Sequence, residues 1–427
     1  MLHFFSSMRT RKINSWVVFY AVIYIIVIIK VTTFQHLDNN LLFAVYSIIV
    51  SIYILSKFAI SSLHKHHPDH FDKSYEPTIS FGIPSKNEGG NIYETIIRIA
   101  RSNYPKNKMD IIAINDGSTD NTLTEMYRAQ KDVKELGVDV KVIDWRTNLG
   151  KRAGMAECVR QSIKDIIIFI DSDSFITPET THHLIKYFTD KKVAAVAGHA
   201  FVANADKNLI TKMQAVRYFV AFKAYKGTES VFGSVTCCSG CCSAYRREYL
   251  APILEEWLQQ KFLGITCTYG DDRSLTNFLL RKGYKALYSE NAKAYTFAPD
   301  TLRQFMKQQL RWKKSWVRES FIASKFMWKK HPVMSISFYL GVILPLLAPI
   351  IVLRALIWYP ISTGHFPWFY ILGLLLMALI YGLYYHVYIK DNRWLYGTLF
   401  AVFYTLILLW QLPWAILNLR DSRWGTR

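Results

Sequence analysis

Apolar positions along the chain follow three rules in turn. Trp16 to Phe34 and Leu41 to Ile60 are nearly unbroken apolar runs, each interrupted by one lysine, and Ile336 to Tyr359, Trp368 to Ile389 and Leu395 to Leu419 repeat that texture near the C-terminus. About 20 apolar residues cross a hydrocarbon core of about 30 Å. The pattern therefore predicts two membrane helices in residues 16–60 and a three-segment membrane region in 333–419. From Thr78 the texture changes to short apolar runs, TISFGIP, DIIAIND, KVIDW and DIIIFID, alternating with helical stretches such as IYETIIRIA and residues 153–163. Strands alternating with helices imply an α/β domain with a mostly parallel sheet covered on both faces. A third rule governs KQQLRWKKSWVRES, residues 307–320. Gln308, Arg311 and Trp312 fall at i, i+3 and i+4 and share one helical face, while Lys313, Lys314 and Arg318 around Trp316 suit a helix lying among lipid headgroups. The expected order is an N-terminus at 1–15, membrane helices at 16–60, a basic linker at 61–77, the α/β domain at 78–300, interfacial helices at 301–332, the second membrane region at 333–419 and a tail at 420–427.

Charge orients this arrangement. Among 427 residues 51% are hydrophobic and 15% aromatic, with a net charge of +20. Arg9, Arg11 and Lys12 precede the first run, and residues 36–40 between the first two carry no Lys or Arg. The positive-inside rule then puts the N-terminus and the large domain in the cytoplasm of a multi-pass plasma-membrane protein. Three full C-terminal crossings would leave Arg420, Arg423 and Arg427 outside, so one segment is expected to be re-entrant or interfacial, with Pro413 as its break. The six cysteines would sit in a reducing compartment, which argues against a disulfide framework. The positive balance suits the anionic inner leaflet and an anionic ligand, and no nucleic-acid motif accompanies it. Only Lys30, Lys57 and Arg354 bring charge into the spans, too few for the ion or proton pathway of a transporter.

Ligands bind parallel sheets at the carboxyl ends of the strands, and those ends are acidic here. IIAIND delivers Asp116 into GSTDNT, and IIIFI delivers Asp171, Ser172 and Asp173. Carboxylates spaced i, i+2 at a strand end suit a hard divalent cation that also takes phosphate oxygens. Either acidic turn alone also reads as a helix cap. Both together, with Lys151 and Arg152 of NLGKRAGM between them, point to a phosphorylated nucleotide. Asp271 and Asp272 open a helical stretch in YGDDRSLTN and double as capping residues. His64 to His70, HKHHPDH, reads as a basic exit from the membrane rather than a metal site. CCSGCCSAYRRE has the thiols of a zinc site without its paired partners, and reads better as a small, polarisable pocket wall.

IPSKNEGGN, INDGSTDNT, NLGKRAGMAE, FIDSDS, SGCCSAYRRE, YGDDRSLTN, QQLRW and SRWGTR occur in the order found in processive, membrane-embedded family 2 glycosyltransferases, which the chain resembles from about Thr78 to Arg427. Among these it is most similar to the hyaluronan synthases, with chitin-type and chitooligosaccharide synthases and a capsular disaccharide-polymer synthase near behind. The resemblance implies a GT-A type nucleotide-sugar domain inserted between membrane helices. It implies that Asp116, Lys151, Asp171, Arg311 and Trp424 contact the donor and that Asp173 holds Mg²⁺ or Mn²⁺. Asp272 would be the general base, with Asp271, Arg273, Gln308, Trp312, Ser239 and Gly240 around the acceptor. Four cysteines in the SGCC stretch depart from the small residues usual there.

The implied activity is inverting β-glycosyl transfer from UDP-sugars onto a growing polysaccharide that passes through the bilayer, by a chain self-sufficient as a monomer. GDDR and KSWVRES favour hyaluronan, made from UDP-glucuronate and UDP-N-acetylglucosamine; PDTLRQFMKQQLRW leans toward the chitooligosaccharide branch. A non-processive transferase to a lipid carrier shares the acidic strand ends but needs neither QxxRW nor the C-terminal bundle, and a transporter or scaffold needs neither set of acids.

Overall fold

The computed structural model describes residues 15–35, 41–65 and 74–421. An eight-stranded sheet forms the centre of the domain, built from β1 (Ile79–Ser85), β2 (Met109–Asp116), β3 (Asp139–Trp145), β4 (Ile166–Phe169), β5 (Ser174–Ile176), β6 (Val193–Val202), β7 (Ser243–Arg246) and, after the small hairpin β8 (Lys261–Phe262) and β9 (Ile265–Thr266), β10 (Lys285–Thr296). Its order is β3-β2-β1-β4-β7-β6-β10-β5. The first half is parallel throughout, and β6 runs parallel to β10. β7 enters antiparallel between β4 and β6, and β5 closes the edge antiparallel to β10.

Strand periodicity explains why both faces are covered. Along β2, Ile111 and Ala113 belong to one core while Ile112 and Ile114 belong to the other, as alternation across a pleat requires. The first core packs Ile92–Ala100 and Thr122–Lys134 onto the sheet; the second packs Lys151–Gln161 and Asp271–Arg281. The helix Leu209–Val220 continues through a π-helical turn, Ala221–Lys226, into Gly227–Val231. Val216, Phe219 and Val220 on it pack with Phe19, Phe58 and Tyr384 of the apolar helices, joining the sheet domain to them.

The apolar helices are Ser15–Gln35, Leu41–Ser61, Pro332–Leu353, Trp368–Ile389 and Trp394–Leu406 with Gln411–Leu417. Among the described residues two are long and apolar enough to cross a membrane, Pro332–Thr363 and Trp368–Ile389, with a third if the last pair, bent by 42°, counts as one span. The bend falls at Ile407, not at Pro413. Pro413 sits within Gln411–Leu417, past the bend. Trp368–Ile389 and Trp394–Leu406 approach through glycines: a Cβ on Gly397 would lie 2.5 Å from Val216 Cγ1 and 3.2 Å from Gly382 Cα.

One expectation is corrected. Lys313, Lys314 and Arg318 were assigned to the headgroup layer, but all three are buried in the 26-residue helix Leu302–Met327. Lys313 Nζ donates to Gln411 Oε1 and Lys314 Nζ to Asp421 Oδ2, each at 3.0 Å, and Arg318 pairs with Glu319 and donates to the carbonyl of Tyr269. Helical spacing revealed a charged face without showing that protein, not lipid, meets it.

Candidate functional site

The strand ends converge on one cluster. Asp116 closes β2, and both of its carboxylate oxygens are taken by the next loop: Oδ1 accepts from Leu149 N–H at 2.6 Å and Oδ2 from Gly150 N–H at 3.0 Å. Gly117 makes the approach possible, since its φ is +62° and a Cβ there would lie 2.7 Å from Asn148 N. Burial raises the Asp116 pKa against those two bonds. The clipped loop hands Lys151 to the first position of Lys151–Gln161, and its Nζ donates to Asp171 Oδ1. Burial opposes the Lys151 charge, but Asp171 and Asp272 overcome it and hold the ammonium well above its usual range. Burial and the charge of Asp171 push the Asp173 carboxyl up to about 6.

Gly240 is the pivot. Its carbonyl accepts from Asp171 N–H at 3.0 Å, and its N–H donates to the Asp272 carboxylate. A Cβ at this position would lie 2.8 Å from Lys151 Nζ, 2.9 Å from Asp171 Oδ1 and 3.0 Å from Asp272 Oδ1. Three charged groups from three elements thus meet around one glycine. Burial raises the pKa of Asp272; Lys151 opposes this and Asp171 adds to it. Asp272 occupies the first turn of Asp271–Arg281, entered through Gly270 in a left-handed conformation. Ser239 Oγ accepts from Lys226 Nζ at 2.5 Å, and Lys226 also holds the Cys237 carbonyl.

Asp271, expected at the acceptor, is 3% exposed, and its Oδ1 accepts from Arg152 Nε at 2.9 Å. Arg152 also donates to the Trp257 carbonyl and Gln260 Oε1 and lies over the Trp257 ring. Arg273 Nη1 donates to Thr236 Oγ1 at 3.3 Å, and Thr236 is held by Glu229. From Leu302–Met327, Gln308, Arg311 and Trp312 all border the same space. Gln308 Oε1 is buried without a hydrogen-bond partner among the described residues. Burial lowers the Arg311 pKa, against the charges of Asp272, Asp271 and Asp171. Trp312 is 41% exposed, 6.1 Å from the Tyr218 ring. Trp424 lies outside the described residues.

These groups line one cavity of about 2200 Å³ that runs from Asp116 and Asp173 past Trp312 to Tyr370 and Tyr404 among the apolar helices. Lys226 and Glu229 line it too, and the sequence analysis singled out neither. Among the described residues no three His, Cys, Asp or Glu side chains gather as a ligand set. Asp171 and Asp173 are hard oxygen donors, and diphosphate oxygens would complete a divalent-cation shell around them.

An α/β sheet of this order, with acids at its central strand ends and a lysine-headed helix beside them, defines a GT-A-like sugar-nucleotide transferase. Residues 80–254 match the model of glycosyl transferase family 2. The chain is 29% identical to a hyaluronan synthase of Streptococcus pyogenes over 387 residues, 90% of each protein. It is 30% identical to an N-acetylglucosaminyltransferase of Azorhizobium caulinodans over 358 residues, 82% of this chain and 87% of that one. Its fold is similar to that of the mannosyltransferase PcManGT from Pyrobaculum calidifontis, solved with GDP-Man and Mn²⁺, at a TM-score of 0.57 and 18% identity, covering 85% of this chain and 99% of the other. The chain belongs to glycosyltransferase family 2 and is a glycosyltransferase.

Proposed function

We propose that the protein is a processive, inverting synthase that polymerises UDP-glucuronate and UDP-N-acetylglucosamine into hyaluronan and passes the product through its own apolar helices. The observation that carries this reading is the single cavity joining the acidic strand ends to the interior of the C-terminal helices. A transferase that moved one sugar to a carrier would need no such conduit. The likeness to the streptococcal hyaluronan synthase over 90% of both chains favours the sugar pair. The likeness to the Azorhizobium N-acetylglucosaminyltransferase supports a second reading, a chitooligosaccharide-type polymer from UDP-N-acetylglucosamine alone.

In this reading the acceptor hydroxyl attacks the anomeric carbon as the bond to the diphosphate breaks, and Asp272 takes the hydroxyl proton as general base. Its raised pKa suits that task. A divalent ion, Mg²⁺ or Mn²⁺, held by Asp173 with Asp171 beside it, would supply positive charge to the leaving diphosphate. Lys151 and Arg311 add fixed cations. Asp116 acts on the donor through the loop it clamps, and Asp271 fixes the start of the helix that carries Asp272. Trp312 offers an aromatic face to the acceptor sugar, and Gln308, Arg273, Ser239 and Gly240 border it. The helices 16–60 and 333–419 are read as membrane spans with the domain on the cytoplasmic side.

Membranes incubated with each UDP-sugar singly and in pairs test the product. Polymer is expected only from the pair, and polymer from UDP-N-acetylglucosamine alone rules out hyaluronan. Asp272→Asn is expected to abolish transfer, at least about 100-fold, while UDP still binds. Unimpaired synthesis by this variant removes Asp272 as the base.

A further inference from the structure

Gln214, on the helix Leu209–Val220, is a buried polar group that the reaction described above does not use. It is 1% exposed and borders the cavity. Its amide nitrogen is taken up inside the protein, donating to the Pro299 carbonyl at 2.7 Å and to the Ile210 carbonyl at 3.2 Å. Those two bonds fix the orientation of the amide, because a flip would set its oxygen against two carbonyl oxygens. Oε1 is the end left over, buried and without a donor among the described residues. An amide oxygen buried in this way is destabilising unless something else supplies the hydrogen.

Two helices place this oxygen in a pattern. Asn208, which caps Leu209–Val220, donates to the carbonyl of Asp300 at 2.7 Å, just ahead of Leu302–Met327. Farther along, Tyr218 and Trp312 bring their rings to 6.1 Å. The two helices thus begin together and remain within reach across the cavity. Gln214 stands one turn before Tyr218 and Gln308 one turn before Trp312, and all four border the same space. Each helix therefore presents a glutamine and then an aromatic ring, about 5.4 Å apart along its axis. Gln308 Oε1 is likewise buried and unpaired among the described residues. Burial, then Cys241 and Asp173, raises the Tyr218 pKa, so the aromatic pair also lies within reach of the acids at the strand ends. A sugar laid against Trp312 would turn one edge toward the glutamines. An oxygen that only accepts welcomes a hydroxyl or an amide N–H there and disfavours a carboxylate.

We propose that Gln214 determines specificity in the acceptor site: with Gln308 it forms a flank that binds the hydrogen-bond donors of the sugar at Trp312, hydroxyl or acetamido N–H, and turns a carboxylate to the far side of the ring. This rests on the transferase reading above and deepens it by fixing which way each sugar faces as it is extended. An N-acetylhexosamine and a uronate both meet the requirement at carbon 2, where one carries N–H and the other O–H. Carbon 5, which bears the carboxylate of a uronate, is diametrically across the ring from carbon 2.

The test uses the purified full chain in nanodiscs, supplied with both UDP-sugars, and reads transfer to two short acceptors: the β-methyl glycoside of N-acetylglucosamine and its 2-deoxy counterpart, which has no donor at that carbon. Wild type is expected to show an acceptor KM about 10-fold higher for the 2-deoxy sugar. Gln214→Met is expected to show that same rise on the parent sugar and little further rise on the 2-deoxy sugar, so that the preference disappears. A variant that weakens both acceptors alike and keeps the wild-type preference assigns Gln214 to holding Pro299 alone, which overturns the proposal. A wild type indifferent to the 2-deoxy change also overturns it. UDP binding checks the fold: if Gln214→Met fails to bind UDP, Gln308→Met carries the same measurement from the other helix, and an unchanged preference there overturns the proposal. A wild type that makes polymer but uses neither short acceptor holds no sugar on this flank, which ends the proposal while processive synthesis stands. Absence of transfer from any donor set ends the transferase reading of the site first, and this one with it.

Discussion

Gly240 leaves no room for a side chain between Lys151, Asp171 and Asp272, the groups to which the proposed reaction assigns its chemistry. Gly240→Ala adds one methyl group at distances of 2.8 to 3.0 Å from all three. Reacting groups displaced by about 1 Å lose roughly 100-fold in rate, so kcat is expected to fall about 10- to 100-fold. UDP binding is expected to survive, as measured by titration calorimetry on the purified variant. His199 gives a second residue-scale outcome. It is 1% exposed, with Nδ1 bonded to the Tyr288 hydroxyl. Burial, then the charges of Lys223, Lys226 and Lys293, lower its pKa from 6.5 to about 3. The unfolded chain takes up a proton in that window which the folded chain refuses, so His199 costs stability as pH falls from 6.5 toward 3, by up to ~1.4 kcal/mol per pH unit. Melting temperatures of wild type and His199→Phe, measured from pH 7 to pH 4.5, are expected to show the shallower acid loss in the variant. Parallel curves would remove His199 as a source of acid sensitivity.

At the scale of elements, the Arg152–Asp271 pair ties the helix headed by Lys151 to the helix headed by Asp272, with side chains 6% and 2% exposed. Removing one partner leaves a buried charge uncompensated, at a cost of about 3–5 kcal/mol. Arg152→Met is therefore expected to lower the unfolding midpoint sharply, and Arg152→Met with Asp271→Leu to recover most of it. Activity is expected to stay low in the double variant, because the tie that sets Asp272 against Lys151 is gone. This pair also marks the limit of what the sequence discloses. TISFGIP, DIIAIND, KVIDW and DIIIFID became β1, β2, β3 and β4, and residues 153–163 became most of Lys151–Gln161, because buried parallel strands and their crossover helices write a local apolar pattern. The antiparallel insertion of β7 in mid-sheet left no such trace, since strand neighbours are chosen by tertiary packing. The acids themselves were legible at the strand ends; their partners were not. Spacing cannot reveal that Asp116 spends both oxygens on the next loop, or that Lys313 and Lys314 turn inward to Gln411 and Asp421.

At the scale of the whole molecule one cavity joins the acidic strand ends to the interior of the apolar helices, and under the proposed function that continuity has a consequence for rate. If the product leaves only by the cavity, the acceptor position clears only when the chain advances among the apolar helices, so narrowing the passage between those helices must slow transfer at the acids. Gly341 is suited to this experiment: it lines the cavity on the Pro332–Leu353 helix, and a Cβ there would already lie 2.6 Å from the Tyr53 hydroxyl. Gly341→Trp is expected to fill the passage between these two helices while leaving Asp171, Asp173 and Asp272 untouched. Product size on gels should drop to short oligomers, and UDP release should fall in step once each chain has met the obstruction, by about 10-fold or more at steady state. A first burst of release equal to a few sugars per enzyme would separate blockage from misfolding, because a misfolded chain gives no burst. Full-length polymer at the wild-type rate would mean that the chain leaves by another route, and the cavity would lose its place in the reaction.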